Sequence, residues 1–356
     1  NLNEVNHVKP TYGKYESQGL GETISSITCN GVELKHEVDY TLMKVYLSKP
    51  LLPNTSTTFN IDFKTYWDDG SNRRRFKMFQ VGKYTHYDGV RWYPAICVYD
   101  KKFGWDTNQH LGHEFYGDYG SYDVALSFSS NYIVEATGNL INKDLVMPDS
   151  LLQKLDIQNF AKHRDSISVI IPYNHNERKT WLYHAVNVHD FAFTADPTYR
   201  IGKANWNGID VIALAQEPDA PGWQDAATWT ANVIRVYSTD FGMYEWPKII
   251  VADARDGMEY PMISFNGYRP TPDEKSGKIT YSRNTKYGLI GVIIHEVGHN
   301  YFPMIVNSDE RQWTWMDEGL NTFLEYVAEV EWDSKYPAFG DKTNIADAIT
   351  DYMRSA

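Results

Sequence analysis

Two histidines, His295 and His299, stand four residues apart in the segment Gly291-Val-Ile-Ile-His-Glu-Val-Gly-His-Asn300. On a helix this spacing puts both imidazoles on one face about a turn apart, where they can share a metal ion. Eighteen residues then separate His299 from Glu318, which a second helix can return to the same point. Two His and one Glu make a standard ligand set for a single catalytic zinc ion, Zn2+, with the fourth position left open. Water at that position ionises near neutral pH, its pKa lowered from 15.7 toward about 7. Glu296, next to the first ligand, is placed to take the proton as general base. Thr322 and Glu325 lie four and seven positions beyond Glu318, on its side of the helix, where they can orient a ligating imidazole. Asp317 competes for that role.

These residues need two helices and a reversal. The 3.6-residue pattern predicts helices over Tyr287 to Phe302 and Asp317 to Trp332, with Pro303 and the polar stretch Asn307 to Gln312 between them. Upstream, Val211 to Ala215 and Lys248 to Ala252 read as buried strands and Trp223 to Tyr237 as a helix. The first 200 or so residues read as antiparallel strands, for example Tyr40 to Leu47, Thr58 to Phe63 and Tyr122 to Phe128. Turns are expected at Asn30-Gly31, Asp69-Gly70, Asp88-Gly89 and Gly117-Asp118, a weak helix over Leu151 to Lys162, and a buried strand over Ile167 to Ile171. A loop-like stretch from Asp196-Pro197 to Asn207-Gly208 marks the boundary between a sheet domain (residues 1–205) and a mixed domain (residues 206–356). The class is α+β.

Composition agrees. A chain of 356 residues, 42% of them hydrophobic, can bury a large core and exceeds the usual span of one. The net charge of −12 argues against a nucleic-acid partner, and the basic run Arg73 to Arg75 reads as a solvated loop. No apolar run reaches membrane-spanning length. The compartment is not readable, and a soluble periplasmic or secreted protein is one reading that fits. Cys29 and Cys97 lack metal-site spacing and read as two thiols.

The segment His295-Glu-Val-Gly-His299 with Glu318, inside Trp315-Met-Asp-Glu-Gly-Leu-Asn321, resembles the aminopeptidase N family of gluzincin zinc metallopeptidases. That family also carries a Gly-Ala-Met-Glu-Asn motif. Here Asp256-Gly-Met-Glu-Tyr260 stands in its place, with Glu259 lying 36 positions before His295. The resemblance implies a saddle-like N-terminal antiparallel β-sheet domain followed by a thermolysin-like mixed α/β zinc domain. It also implies that Gly257, Met258 and Glu259 bind substrate, Glu259 holding the free amino group of a peptide. A carboxylate facing an ammonium gives a physical reason to cut from the peptide's end, since an internal bond offers no such charge. Asp256 departs from the family's first Gly and Tyr260 from its Asn. The family's oxyanion-stabilising Tyr is not assignable, because Tyr352 sits too near the third ligand, and the chain is expected to be truncated at both ends. Two alternatives stay open: a thermolysin-like endopeptidase, and a zinc- and peptide-binding fragment with little turnover.

Overall fold

The computed structural model describes residues 21–67, 76–110, 114–267, 270–272, 275–276, 279–333 and 345–355. The expected turn at Asp69-Gly70, the run Arg73 to Arg75 and the side chain of Tyr352 lie outside the described residues.

β1 (Glu22–Cys29) reverses at Asn30 and Gly31, with φ of 50° and 78°, into β2 (Val32–Glu33). Two consecutive positive φ values are what a tight hairpin turn needs, and Asn-Gly is the pair that tolerates them most readily. The stretch 40–47 is not one strand. Tyr40 is 72% exposed with a φ of 50°, so a turn there splits it into a hairpin of β3 (His36–Asp39) and β4 (Leu42–Val45). β5 (Phe59–Thr65) pairs with β1. β6 (Lys77–Val81) and β7 (Tyr84–Gly89) form a second hairpin, and β8 (Tyr99–Asp100) with β9 (Gly104–Trp105) a short third. Asp88-Gly89 is therefore strand, not turn. The glycine is required because a Cβ there would lie 2.2 Å from the Phe193 ring.

The longest ladder joins β10 (Gly120–Ser129) to β13 (Arg178–Val188), with β12 (Asn139–Leu140) on the far side of β13. β11 (Ile133–Ala136) and β14 (Phe193–Asp196) continue the β6–β7 hairpin into a four-stranded antiparallel sheet. The weak helical pattern over 151–162 is realised as a short helix, Asp149–Leu155, and a 3-10 turn, Ile157–Phe160. Residues 167–171 are not a strand, and Val169 is 58% exposed. Their main-chain groups are taken by side chains instead of a ladder: Ser168 N donates to the Glu217 carboxylate at 3.0 Å, and its carbonyl accepts from Arg200 Nη2 at 3.0 Å.

After β14 the chain changes sheet. β15 (Tyr199–Trp206) occupies most of the stretch that reads as a loop and hairpins through Asn207-Gly208 into β16 (Ile209–Gln216). β17 (Lys248–Asp253), β18 (Met258–Tyr260) and β19 (Ile263–Asn266) complete a mixed sheet in the order β15-β16-β17-β19-β18. All six residues of β17 are buried, which explains its unbroken Ile-Ile-Val-Ala run. α1 (Ala226–Asp240) covers β15 and β16, while α2 (Arg283–Gly298) packs on β19 and between α1 and α3 (Leu320–Trp332). A last helix, α4 (Ile345–Ser355), touches α3.

A buried polar network fastens the two sheets where they meet. His86 on β7 contacts Asp196 at 2.9 Å and Asp88 at 2.8 Å, and Thr194 meets Tyr199 at 2.6 Å. Burial alone would lower the His86 pKa, but the Asp88 charge and the bonds to both carboxylates outweigh it and hold the value at about 9.

Candidate metal centre

α2 starts at Ser282, whose hydroxyl accepts from Thr285 N at 3.2 Å, and ends at Gly298. It is four residues shorter at its C-terminus than the pattern predicts. His299 follows as the capping residue at φ −59°, ψ −20°, still helical, so its ring keeps the face set by His295. Two neighbours grip this end. Tyr237 of α1 donates to Ile294 O at 3.0 Å, and Asn321 of α3 donates to His295 O at 2.9 Å. They close in so tightly that a Cβ at Gly298 would lie 2.1 Å from Asn321 Oδ1 and 3.0 Å from the Tyr237 hydroxyl.

Glu318 lies on a wide π-helical turn, Trp315–Gly319, just ahead of α3 and not within it. The three donors form a near-equilateral triangle. His295 Nε2 and His299 Nε2 are 3.2 Å apart, and Glu318 Oε2 is 3.4 Å from each. Ligands about 2.0–2.1 Å from a tetrahedral zinc are spaced about 3.3 Å from one another, so the donor set and its geometry fit that ion. Side-chain exposure is graded: 1% for His299, 28% for His295 and 41% for Glu318, so the triangle is closed off at His299 and reaches solvent at Glu318.

Each imidazole is held from behind. His295 Nδ1 lies 3.0 Å from Glu325 Oε2. His299 Nδ1 donates to the Phe302 carbonyl at 2.9 Å. Asp317 Oδ1 is also 2.9 Å from that nitrogen but out of line for a hydrogen bond, so it contributes charge more than direction. Thr322 is not among the hydrogen-bond partners of either ring in the described residues. Its hydroxyl donates to Glu318 O at 2.7 Å and steadies the turn that carries the third ligand. Burial would lower the His295 pKa, yet the hydrogen bond to Glu325 and nearby carboxylates hold it at about 9. In the same way burial is outweighed at His299 by Glu259, Asp317 and Glu318, and its pKa lies well above the ordinary value. The pocket attracts positive charge.

Glu296 is buried, 6% exposed, and its Oε1 sits 2.3 Å from where a Cβ on Gly257 would be. Only glycine at 257 leaves room for that carboxylate. Glu259, on edge strand β18, is 3% exposed and offers an oxygen within 4.8 Å of a His299 ring nitrogen and an Asp317 oxygen. Burial first, then Glu114, Glu296 and Asp317, raise its pKa to about 8 against the opposing pull of His299. Met258 alternates to the other side of the strand and is 2% exposed within the core. Asp256 accepts from Gly257 N at 3.1 Å. Tyr260 is fully buried, its ring 5.1 Å from that of Phe115.

Sequence reasoning missed Asn321 and Tyr237, which clamp α2, and two acids, Glu114 and Glu310, each offering an oxygen within 4.8 Å of one from Glu259. Gly298 inside the His-Glu-Val-Gly-His segment was the available hint of close helix packing. Glu114 and Glu310 lie 145 positions before and 51 after Glu259, with no spacing rule to connect them.

No protein-family model matches the chain, and no curated protein matches it. Solved structures do. An M1 zinc metallopeptidase from Deinococcus radiodurans aligns with a TM-score of 0.52 and 14% identity, over 88% of this chain and 61% of its own. A variant of that enzyme bound to a Tyr-Ser-Ala substrate aligns with a TM-score of 0.52 and 15% identity, over 94% and 65%. A two-domain M1 zinc metallopeptidase variant bound to L-arginine gives 0.52 and 14%, over the same shares. The chain spans less than two thirds of the length of these structures. At that identity the likeness is one of fold: mixed α+β, with antiparallel sheets leading into the helix that carries the histidines, the chain has the fold of the M1 zinc metallopeptidases.

Proposed function

We propose that the protein is a zinc-dependent aminopeptidase, with residues 206–356 as a thermolysin-like catalytic unit behind a sheet domain. The observation that carries this reading is the triangle of His295, His299 and Glu318 donors, 3.2–3.4 Å on a side, with Glu296 near enough for its charge to act on His295. Zinc bound there supplies Lewis acidity toward a peptide carbonyl and toward water. Glu296 takes a proton from the attacking water and delivers it to the departing amine. Gly257 keeps the space in which its Oε1 rests. Glu259 meets the α-ammonium of the substrate, which fixes the first peptide bond over the metal site. Peptides with a free N-terminus are the substrates this arrangement favours. The neighbour bound to a Tyr-Ser-Ala substrate supports a tripeptide-sized ligand in this fold.

The test uses protein loaded with one equivalent of zinc, an aminoacyl anilide and its N-acetyl analogue. Turnover of the free amine alone, abolished in Glu259→Ala, supports the reading. Equal rates on both substrates remove the exopeptidase claim in favour of an endopeptidase. Stoichiometric zinc without turnover of either leaves a peptide-binding fragment. Among the described residues no helix is long and apolar enough to cross a membrane.

A further inference from the structure

Two buried carboxylates and one half-buried carboxylate converge from three separate parts of the chain. Glu114 comes from the segment before β10, Glu259 from β18, and Glu310 from the connection between α2 and α3; one oxygen of each lies within 4.8 Å of the others. Glu310 is 1% exposed. Its Oε2 accepts from Phe115 N at 2.9 Å, while its Oε1 has no hydrogen-bond partner among the described residues; Glu259 Oε1, also buried, has none among them either. Glu114 is 3.3 Å from Arg91 Nη2, so one of the three charges is already partly met. Asp317 and Glu296 add further negative charge nearby. Buried carboxylate oxygens left without a partner are costly unless a proton or a cation takes them up.

We propose that Glu310 is a specificity-determining residue which, with Glu259 and Glu114, forms a cage accepting all three N–H bonds of an unsubstituted primary ammonium. This rests on the aminopeptidase reading and narrows its substrate class: peptides beginning with a primary amine are accepted, and those beginning with proline or an N-methylated residue are disfavoured. An ammonium has three donors set tetrahedrally, and acceptors about 2.8 Å from its nitrogen lie about 4.6 Å apart, a separation that fits within the 4.8 Å bounding the three oxygens here. A secondary amine has one donor fewer, so one caged oxygen stays buried and unsatisfied, the kind of mismatch by which polar sites reject close analogues.

The experiment compares an alanyl anilide with its N-methyl and N,N-dimethyl analogues on the zinc-loaded full chain, wild type against E310Q. Glutamine keeps an acceptor for Phe115 N while removing the charge. The wild type is expected to prefer the primary amine by about tenfold or more at each methyl added. E310Q is expected to raise KM for the primary amine about tenfold with kcat within about threefold, and to shrink its advantage over the N-methyl substrate. Should E310Q fail to fold, E114Q at the more exposed corner gives the same readout. Equal KM shifts for all three substrates, or an unchanged KM, overturn the proposal. So does a second bound equivalent of zinc or calcium that E310Q removes, since the acids would then hold a metal. If E259Q is silent along with E310Q, the aminopeptidase reading falls as well; if only E310Q is silent, the cage alone does.

Discussion

Gly257→Ala isolates the role of Glu296 from that of the metal ligands. The added Cβ would stand 2.3 Å from Glu296 Oε1, and ordinary contact begins at 3.4 Å. The carboxylate must therefore retreat by about 1 Å. It is the far end of a flexible side chain, and Gly257 does not have a positive φ, so the backbone accepts alanine and the fold gives little resistance. Stability should change by less than about 1 kcal/mol. Catalysis should not be so tolerant, because a misplacement of about 1 Å in a reacting group reduces rate about 100-fold, or about 2.7 kcal/mol of barrier. The assay is kcat on an aminoacyl anilide, with zinc content and melting temperature measured on the same preparation. The expected result is a fall in kcat of about two orders of magnitude with one zinc retained and the melting point nearly unchanged. A variant with kcat within threefold of wild type would refute the placement of Glu296 as base. A variant that loses zinc would show that the glycine serves the ligands instead.

Gly298→Ala should behave in the opposite way. Its Cβ meets Asn321 Oδ1 at 2.1 Å and Tyr237 OH at 3.0 Å, both fixed by bonds to the backbone of α2, so denaturant melts should show a loss of about 1–3 kcal/mol. Glu325→Gln replaces the charge behind His295 Nδ1 and should weaken zinc binding about 10- to 100-fold in chelator competition, with little change in melting of the zinc-loaded form. His86 has a folded pKa of about 9 against an ordinary 6.5, so its stabilisation is complete below about pH 6.5 and is lost as pH rises through about 9. The pH-dependent part of the stability gap between wild type and His86→Gln should reach about 3 kcal/mol at pH 6 and vanish near pH 10. A gap that stays flat across that range would show that Asp88 and Asp196 do not hold a charged imidazole.

What the sequence discloses depends on how local the constraint is. The grouping of His295, His299 and Glu318 was legible because a helix converts a four-residue spacing into a shared face, and because the 3.6-residue pattern marks where α2 and α3 run. β17 was legible from its continuous apolar run. The errors have a common origin in contacts made at long range. Residues 167–171 have a strand's composition, but Glu217 and Arg200, remote in sequence, capture the backbone of Ser168. Asp88-Gly89 has a turn's composition, but its glycine answers to the Phe193 ring across the sheet. Thr322 is the exception, a local one: it has the spacing to reach an imidazole, yet its hydroxyl donates to the carbonyl four residues back.

The same reasoning explains why Glu114 and Glu310 escaped notice while Glu259 did not. Two residues before Glu259 stands a glycine whose Cβ position is taken by the Glu296 carboxylate, so a short motif survives around it. Glu310 is held by a single bond from Phe115 N, 195 positions away, and nothing in its own neighbourhood requires a carboxylate. Burial of an acid is the one property that would have flagged it, and burial is set by the fold, not by the segment. The chemistry a helix can display was therefore readable at the start. The grouping of acids that depends on a sheet-domain loop meeting the connection between two helices was not.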